Sequence, residues 1–254
     1  METRTRTHGW RAAALLATLA PLVAACGGHG GVSDGRLGAA APRMPQGSHL
    51  VISTDNGVRL RPADGDRVAL APHVTTHWSR SDRTWALDLS CTDREGHEDP
   101  ACPRMPVIAV PSGTSVTVTA RNAGVDAVGV GAELDLTTVN GDVTVTRSGR
   151  DDAPVRLVTR NGSVRTEALR SGRLHAETVN GDVTVASATS PAGLTAATTN
   201  GSVRVTLPRD APGYLTTATA RNGRSSVTVP AAESGAGHEM SLSTVNGDVT
   251  AARG

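Results

Sequence analysis

Three aspartates in equivalent places are the clearest candidates for chemistry in this sequence. Asp142, Asp182 and Asp248 each follow an Asn-Gly pair, in TVNGDVTV twice and TVNGDVTA once. Recurrent turn carboxylates could form a calcium ladder, because Ca²⁺ takes six to eight oxygen ligands and some glycine-rich repeats hold it this way. The other copies of the motif carry serine or arginine at this place, and a turn Asp or Ser also bonds local backbone groups. The sequence therefore predicts no metal site here.

Two cysteines flank a polar, turn-rich segment, SCTDREGHEDPACP. Cys91 and Cys102 form an even pair once Cys26 is set apart, and in an exported chain such a pair predicts a disulfide. Closing a loop of this size stabilises a fold by about 3 kcal/mol in the chain-entropy picture. The alternative is a metal site that joins these thiols to His73, His77 or His97, which a reducing compartment would favour.

The sequence gives no usable signature of nucleophilic catalysis. Its single GxSxG match, Gly31-Val32-Ser33-Asp34-Gly35, lies in the Gly-, Ala- and Pro-rich segment, where no strand-to-helix turn is predicted, and the chain has no lysine from which an SxxK motif could be built. The eight histidines are scattered, and no pair of carboxylates recurs at a place typical of a site. The sequence therefore predicts no catalytic residue and no cofactor, although an enzyme site assembled from separate loops stays open as a third reading.

The first residues have the pattern of an export signal. Three arginines precede the apolar run AAALLATLAPLVAA, which is too short to span a bilayer and suits a signal-peptide core. The run ends in Val-Ala-Ala-Cys, which resembles the lipobox of bacterial lipoproteins and implies cleavage before Cys26 and lipid attachment to its sulfur. We expect residues 1–25 to be a signal peptide and 26–47, rich in Gly, Ala and Pro, to be a flexible tether.

Charge argues against a nucleic-acid partner. All 25 basic residues are arginine, and without residues 1–25 the chain has 22 Arg against 23 acidic residues, a net charge of −1. A chain that is nearly neutral and has no basic block lacks the electrostatic footprint of a nucleic-acid binder.

The strongest pattern is a repeat built on Asn-Gly. Its pairs are separated by 21, 19, 20, 22 and 24 residues, a period of about 20 that is typical of solenoid coils. We predict structural turns at Asn140-Gly141, Asn161-Gly162, Asn180-Gly181, Asn200-Gly201, Asn222-Gly223 and Asn246-Gly247. Glycine would supply a positive φ, and asparagine tolerates the left-handed region.

Two short strands flank each turn. Apolar or small residues recur six, four and two places before the asparagine, as in Leu134, Leu136 and Thr138, and again three and five places after it, as in Val143 and Val145. This period-2 alternation predicts half-buried strands. A two-residue hairpin would produce the same change of phase across Asn-Gly, so a barrel or sandwich built from hairpins is the alternative fold.

Stacked parallel coils explain the sequence better. Residues of the same phase are alike from copy to copy, and length varies only between the second strand and the next coil. We therefore predict an all-β, single-domain β-solenoid over residues 48–254, with a less regular part at 48–110 and the Asn-Gly repeats at 111–254. Trp78 and Trp85 are expected to cover its N-terminal end, and the Asn222 copy, whose valines are displaced, is expected to contain a local bulge or a widened corner.

The TxNGDV and NGSV units, the LxLxT strand before them and Val110-Pro111 resemble a family of bacterial cell-envelope proteins. These proteins carry β-strand-repeat domains of unknown function and an adhesin label, and the resemblance covers residues 48–254. It implies a β-solenoid at the cell surface without catalytic residues.

Function follows from this architecture as an expectation. We predict a non-catalytic scaffold or adhesion module on the outer face of the cell membrane, held by the lipid on Cys26 and facing an envelope protein or a glycan. An envelope sensor or accessory protein for a polar ligand is the alternative. Because no capping segment follows the last TVNGDVTA, we also predict that the C-terminal coil is uncapped and pairs with another copy.

Overall fold

The structure is a computed structural model that describes residues 41–71, 74, 76–89, 103–232 and 237–254. These residues form strands and turns, with no helix among them. Within the described part, no helix is therefore long and apolar enough to cross a membrane.

The described residues form 19 strands. In chain order they are β1 His49–Ser53, β2 Val58–Pro62, β3 Ala69–Leu70, β4 His77–Ser81, β5 Thr84–Asp88, β6 Val107–Val110, β7 Ser115–Thr119, β8 Val125–Val128, β9 Leu134–Thr137, β10 Val143–Thr146, β11 Gly149–Val158, β12 Val164–Glu177, β13 Val183–Ser187, β14 Gly193–Asn200, β15 Val203–Leu207, β16 Leu215–Asn222, β17 Ser225–Val227, β18 Glu239–Asn246 and β19 Val249–Arg253.

The strands stack as parallel coils, which confirms the β-solenoid. Each coil of the Asn-Gly repeat places one strand on a first face, turns at Asn-Gly and places the next strand on a second face. On the first face Leu134 lies beside Val155, and on the second face Val143 lies beside Val164. Strands on either side of an Asn-Gly pair therefore bond to other coils and not to each other, so the hairpin alternative is wrong. Among the described strands, β3–β6 and β4–β5 are antiparallel.

The core is a set of apolar columns between the two faces. The predicted alternation is seen directly: Leu136, Leu157, Ala176, Val145 and Val185 are fully buried. Burying a Val or Leu side chain contributes about 1.5–3 kcal/mol, and each coil repeats that contribution. A single coil cannot bury its own apolar side chains, because each coil contacts only its neighbours. The core therefore forms only when coils stack on one another.

The order of coils in space differs from their order in the chain. Strand β18 lies between β14 and β16, and β19 lies between β15 and β17. The last coil described along the chain is therefore covered on both sides. The prediction of an uncapped C-terminal coil with free edges is wrong, and the coil at this end of the stack is instead β16–β17.

The other end has the same arrangement. Strand β1 lies between β5 and β7, and β2 lies between β6 and β8. Beyond β5 lies β4, whose Trp78 packs edge-on against Trp85 with 6.5 Å between ring centres. Both tryptophans are half-buried and pack on the core, so they cover the end of the stack as expected from the sequence.

The coil around Asn222 contains no bulge. Asn222 lies beside Asn246, and Ser225 lies beside Val249, so the register is the same before and after the turn. The valines only looked displaced because Ser225 occupies the place that a valine fills in other coils. A serine is tolerated there because this coil is the outermost one, and Ser225 is exposed.

Candidate functional site: the Asn-Gly corner and the exposed faces

Glycine is required at the corner because neighbouring backbones approach closely. A Cβ on Gly162 would lie 2.1 Å from the carbonyl oxygen of Gly141, and one on Gly181 would lie 2.2 Å from that of Gly162. The positive φ expected of the corner glycines is present at five of the six, Gly141, Gly162, Gly181, Gly201 and Gly247, at values from 146° to 158°. The non-glycine residues with positive φ in the described part are Asp82, Arg147 and Ala168. The corner asparagines therefore do not adopt the left-handed region.

The asparagines form a continuous ladder of amides along the corner. Each Nδ2 donates a hydrogen bond to Oδ1 of the next asparagine in the stack. The pairs, donor first, are Asn161 to Asn140, Asn180 to Asn161, Asn200 to Asn180, Asn246 to Asn200 and Asn222 to Asn246, at 2.8–2.9 Å. The asparagine at each turn therefore links its coil to the neighbouring coil through its side chain.

A second ladder runs inside the corner through the threonine two places before every corner asparagine except Asn222, where Ala220 takes its place. The Thr159 hydroxyl donates to the Gly141 carbonyl oxygen at 2.7 Å, and Thr178 donates to Gly162 at the same distance. Thr198 and Thr244 make the same bond to Gly181 and Gly201. A buried hydroxyl needs such a partner, because an unpaired one costs about 1–3 kcal/mol. The buried threonines of the TxNG motif are therefore explained.

A third ladder uses the residue two places after each asparagine. Asp142 Oδ1 accepts a hydrogen bond from the backbone N–H of Ser163, and Ser163 Oγ accepts one from Asp182 N–H. Asp182, Ser202 and Asp248 continue the series, which ends at Arg224 N–H. Asp and Ser alternate because either can accept. Arg224 belongs to the last coil of the stack, where no further N–H needs an acceptor.

These ladders account for the three aspartates without a metal. A serine coil separates each aspartate from the next one in the stack, and the second oxygen of Asp142 pairs with Arg165 at 3.0 Å. In the part of the chain that the structure describes, no group of three or more His, Cys, Asp or Glu residues is placed to hold a metal ion. The corner residues therefore serve to hold neighbouring coils together.

The outward side chains of the second face form regular columns. One column runs through the coils as Thr144, Arg165, Thr184, Arg204 and Thr250. Neighbouring strands are about 4.8 Å apart, so Arg165 and Arg204 stand about 10 Å apart with a threonine between them. This face presents hydroxyls and guanidinium groups at a fixed spacing.

The first face also carries pairs of charged or polar side chains. Arg156 contacts Asp135 at 3.2 Å, and His175 contacts Glu177 at 3.2 Å. The vertex that precedes the first face is the bend between coils that contains residues 150–152 and 170. There Asp152 lies 2.6 Å from Arg150, and Asp151 pairs with Arg170. The Arg150 guanidinium holds the pKa of Asp152 below its ordinary value by hydrogen bonding, and the pKa of Arg150 is raised in turn.

An open cleft of about 290 Å³ lies beside this vertex, near the N-terminal half of the stack. Its lining residues are Gly47, Ser48, Gly113, Thr114, Ser115, Ala132, Glu133 and Arg150. The Thr114 hydroxyl is buried without a hydrogen-bond partner among the described residues. Glu133 and Arg150 supply charges of opposite sign at its rim.

Tyr214, the single tyrosine of the chain, lies fully buried near the other end of the stack. Its hydroxyl donates to the Pro191 carbonyl oxygen at 2.8 Å, and its ring packs edge-on against His238 with 5.2 Å between centres. Burial raises the pKa of Tyr214 to about 12, and a hydrogen bond with Ser190 opposes this shift. The residue fastens the coil of β16 to the vertex beneath it.

The residues predicted for lipid attachment and for the disulfide, Cys26, Cys91 and Cys102, lie outside the described residues. The six Asn-Gly pairs all lie at corners and are brought into one line. Sequence reasoning missed the acceptor role of the residue after glycine, although the restriction to Asp or Ser in every copy but that of Arg224 was a readable signal.

Comparison with known proteins gives a family and little more. Residues 112–251 match the family model described as Toastrack DUF4097. No curated protein matches the chain. A solved structure from Clostridium sporogenes ATCC 15579, titled a "putative cell adhesion protein", aligns with 85% of this chain and 97% of its own, at 9% identity and a TM-score of 0.40. A likeness of that size supports no conclusion about function.

Proposed function

Because the chain belongs to the Toastrack DUF4097 family, whose domain is a β-repeat of unknown function, we propose that it is a non-catalytic interaction module of the cell envelope. In this proposal Cys26 carries the lipid, residues 27–40 form the tether, and the solenoid presents a rigid face to an envelope glycan or protein. The tether predicted from the sequence, 26–47, is too long, because Met44 is buried in the core and its N–H bonds the Asp66 carbonyl oxygen. Stacked repeats suit such a role because they build long, flat surfaces of fixed spacing.

One observation carries the proposal: the recurring residues of the corner bond to neighbouring coils, whereas the polar columns of the second face point to solvent. Arg165 and Arg204 are exposed and alternate with threonine along the stack, and Arg165 also pairs with Asp142 of the corner. Guanidinium groups and hydroxyls donate hydrogen bonds to carboxylate and hydroxyl oxygens. A polar, acidic glycan fits that chemistry better than an apolar ligand does.

The face can be tested by two pairs of substitutions. Arg165→Ser with Arg204→Ser removes two charges from the second face, and Arg156→Ser with Arg173→Ser removes two from the first. We expect the full chain and the first-face variant to retain acidic envelope glycans in a pull-down, and the second-face variant to lose them. Equal retention by all three proteins, or retention no better than by blank beads, rejects the proposed face.

The anchor is tested separately by labelling cells with a fatty-acid probe. Wild-type chain should take up the label and sediment with membranes, while Cys26→Ala should do neither. Label retained by Cys26→Ala would rule out this cysteine as the attachment point.

An envelope sensor or accessory protein is the second candidate, and the cleft beside Glu133 and Arg150 favours it. Paired charges of opposite sign at a cleft of about 290 Å³ suit a small zwitterionic ligand. Cross-linking of the intact protein in cells to other envelope proteins, lost on Glu133→Gln but not on Glu167→Gln, would favour this candidate over glycan binding.

A further inference from the structure

The segment of β18 and β19 fills a slot whose two walls come from earlier parts of the chain. One wall is β14 and β15, and the other is β16 and β17. Met240, Leu242, Val249 and Ala251 point inward and are 1% exposed or less. The segment is therefore bonded along both edges and buried on one face, as a strand inserted into a gap would be.

The slot matches the segment at every position of the corner. Asn246 donates to Asn200 and accepts from Asn222, both at 2.8 Å. Asp248 receives the N–H of Arg224 at 2.8 Å and gives its own N–H to Ser202 at 3.2 Å. Only a segment with Asn, Gly and an acceptor in succession can satisfy both walls at once.

The outer wall is held to the stack at a second place. Strand β16 pairs with β18 and β17 with β19, and neither pairs with any other described strand. However, Tyr214 at the foot of β16 is buried and bonds the Pro191 carbonyl oxygen. This bond lies on the vertex side, so the wall keeps one attachment when the slot is empty.

We propose that this slot exchanges its occupant between molecules, so that residues 239–253 of one copy fill the slot of a second copy and the reverse. A second copy is the occupant that the slot fits best, because its segment restores every contact described above and requires no new one. The closed monomer is favoured at low concentration, since its own segment is always close, and exchange of an identical element is a low-cost route to a dimer. The inference goes beyond the proposed function and does not depend on it.

The test places one cysteine on the inserted segment and one on the wall, in different full-length chains. Thr195 lies directly beside Ser241 across the β14–β18 pair, with both side chains outward. Cα atoms of paired strands lie within the range that a disulfide bridges. All chains carry serine at Cys26, Cys91 and Cys102, so that no other thiol reacts.

Chains with Thr195→Cys and chains with Ser241→Cys are mixed, partly unfolded in denaturant, returned to buffer over a series of protein concentrations and oxidised. The control mixture pairs Thr195→Cys with His175→Cys, because His175 is beside Thr195 on a strand that does not exchange. We expect a disulfide-linked dimer in the first mixture, increasing with concentration and at least about tenfold above the control.

Either of two cross-linking results would overturn the exchange. One is equal cross-linking in both mixtures, which would indicate random collision. The other is no dimer in the first mixture while a single chain carrying both Thr195→Cys and Ser241→Cys closes its own disulfide, which shows that the geometry allows the bond. Capture of a free peptide of residues 239–254 without any dimer also counts against exchange and would indicate a general peptide-binding slot.

Discussion

At each corner, a single carbonyl oxygen of the neighbouring coil decides which residue can follow asparagine. The glycines of the repeat are needed both for a positive φ and for space, since any side chain would meet the neighbouring backbone. The residue after glycine needs only an acceptor, and the threonine before asparagine needs a hydroxyl. These three requirements explain the motif TxNG(D/S) without a ligand.

Replacing Gly162 with alanine should destabilise the fold by about 3 kcal/mol or more, because the new Cβ would overlap the Gly141 carbonyl oxygen at 2.1 Å. Gly131→Ala is the control, since nothing lies within 4 Å of a Cβ at that position. Urea unfolding measures both. A loss for Gly162→Ala no larger than for Gly131→Ala would contradict the close approach.

Replacing Asp182 with serine should leave the free energy of unfolding nearly unchanged, while Asp182→Ala should cost about 1 kcal/mol. Serine keeps an acceptor for the Ser202 N–H, as Ser163 does one coil earlier, whereas alanine leaves that N–H without its partner. Asp142→Ser also loses the exposed ion pair with Arg165, which contributes only about 0–1 kcal/mol, so it should cost little more. Thermal unfolding of the three variants ranks them, and equal losses for serine and alanine would reject the acceptor role.

The stability of the fold should decrease as pH rises from 10 to 12, through the ionisation of Tyr214. Its pKa is about 12 when folded against 10 when unfolded, so the unfolded chain loses the proton first and is favoured across this interval. No lysine titrates in this range because the chain has none. Tyrosinate absorbance should follow the folded value, and Tyr214→Phe should lose this part of the pH dependence.

At the scale of the strands, the placement of β18 and β19 was the feature that the sequence did not reveal directly. Local residue types predict the strand alternation, the corner positions and the parallel stacking. The alternation of apolar and polar residues, and the matching residues at equivalent places of successive copies, can both be read from the sequence. The order of coils depends on which edges meet after a long connection, and alternation says nothing about that. Arg224 was the local clue to the order of coils. It replaces the Asp or Ser that accepts a backbone N–H of the next coil, and only the outermost coil can do without that acceptor.

Leu242→Ala should open the end of the stack before the rest unfolds. Leu242 is buried between Ala196 and Ala218, and losing a buried Leu side chain costs about 2–5 kcal/mol. Amide exchange should speed up in β16, which pairs with β18, and stay slow in β7. Leu136→Ala is the comparison, since it lies far from β16 and should leave β16 no faster than β7.

For the whole molecule, both ends are built the same way: the first and last coils described along the chain each lie one place inside the stack. The described part of the chain carries aromatic probes near both ends, Trp78 and Trp85 at one and Tyr214 at the other. A stack in which each coil contacts only its neighbours can open from either end. A substitution near one end of the stack should therefore destabilise that end more than the other.

Leu87→Ala should lower the denaturant midpoint seen by tryptophan fluorescence more than the one seen by tyrosine absorbance, and Leu242→Ala should do the opposite. Leu87 is buried beside Trp78, and Leu242 lies on the strand adjacent to β16. Trp10→Leu in all variants removes the remaining tryptophan signal. Coincident midpoints for both probes in both variants would show one cooperative unit.

The interleaved order of coils also determines when each coil can form during synthesis. Strand β16 leaves the ribosome before β18, the strand to which it bonds. Until residue 253 has emerged, β16 and β17 have no strand partner, and their coil presents its edges to proteases and chaperones. The stack is therefore completed by the late arrival of one segment, and a pause between residues 227 and 239 would prolong the interval in which this end is vulnerable.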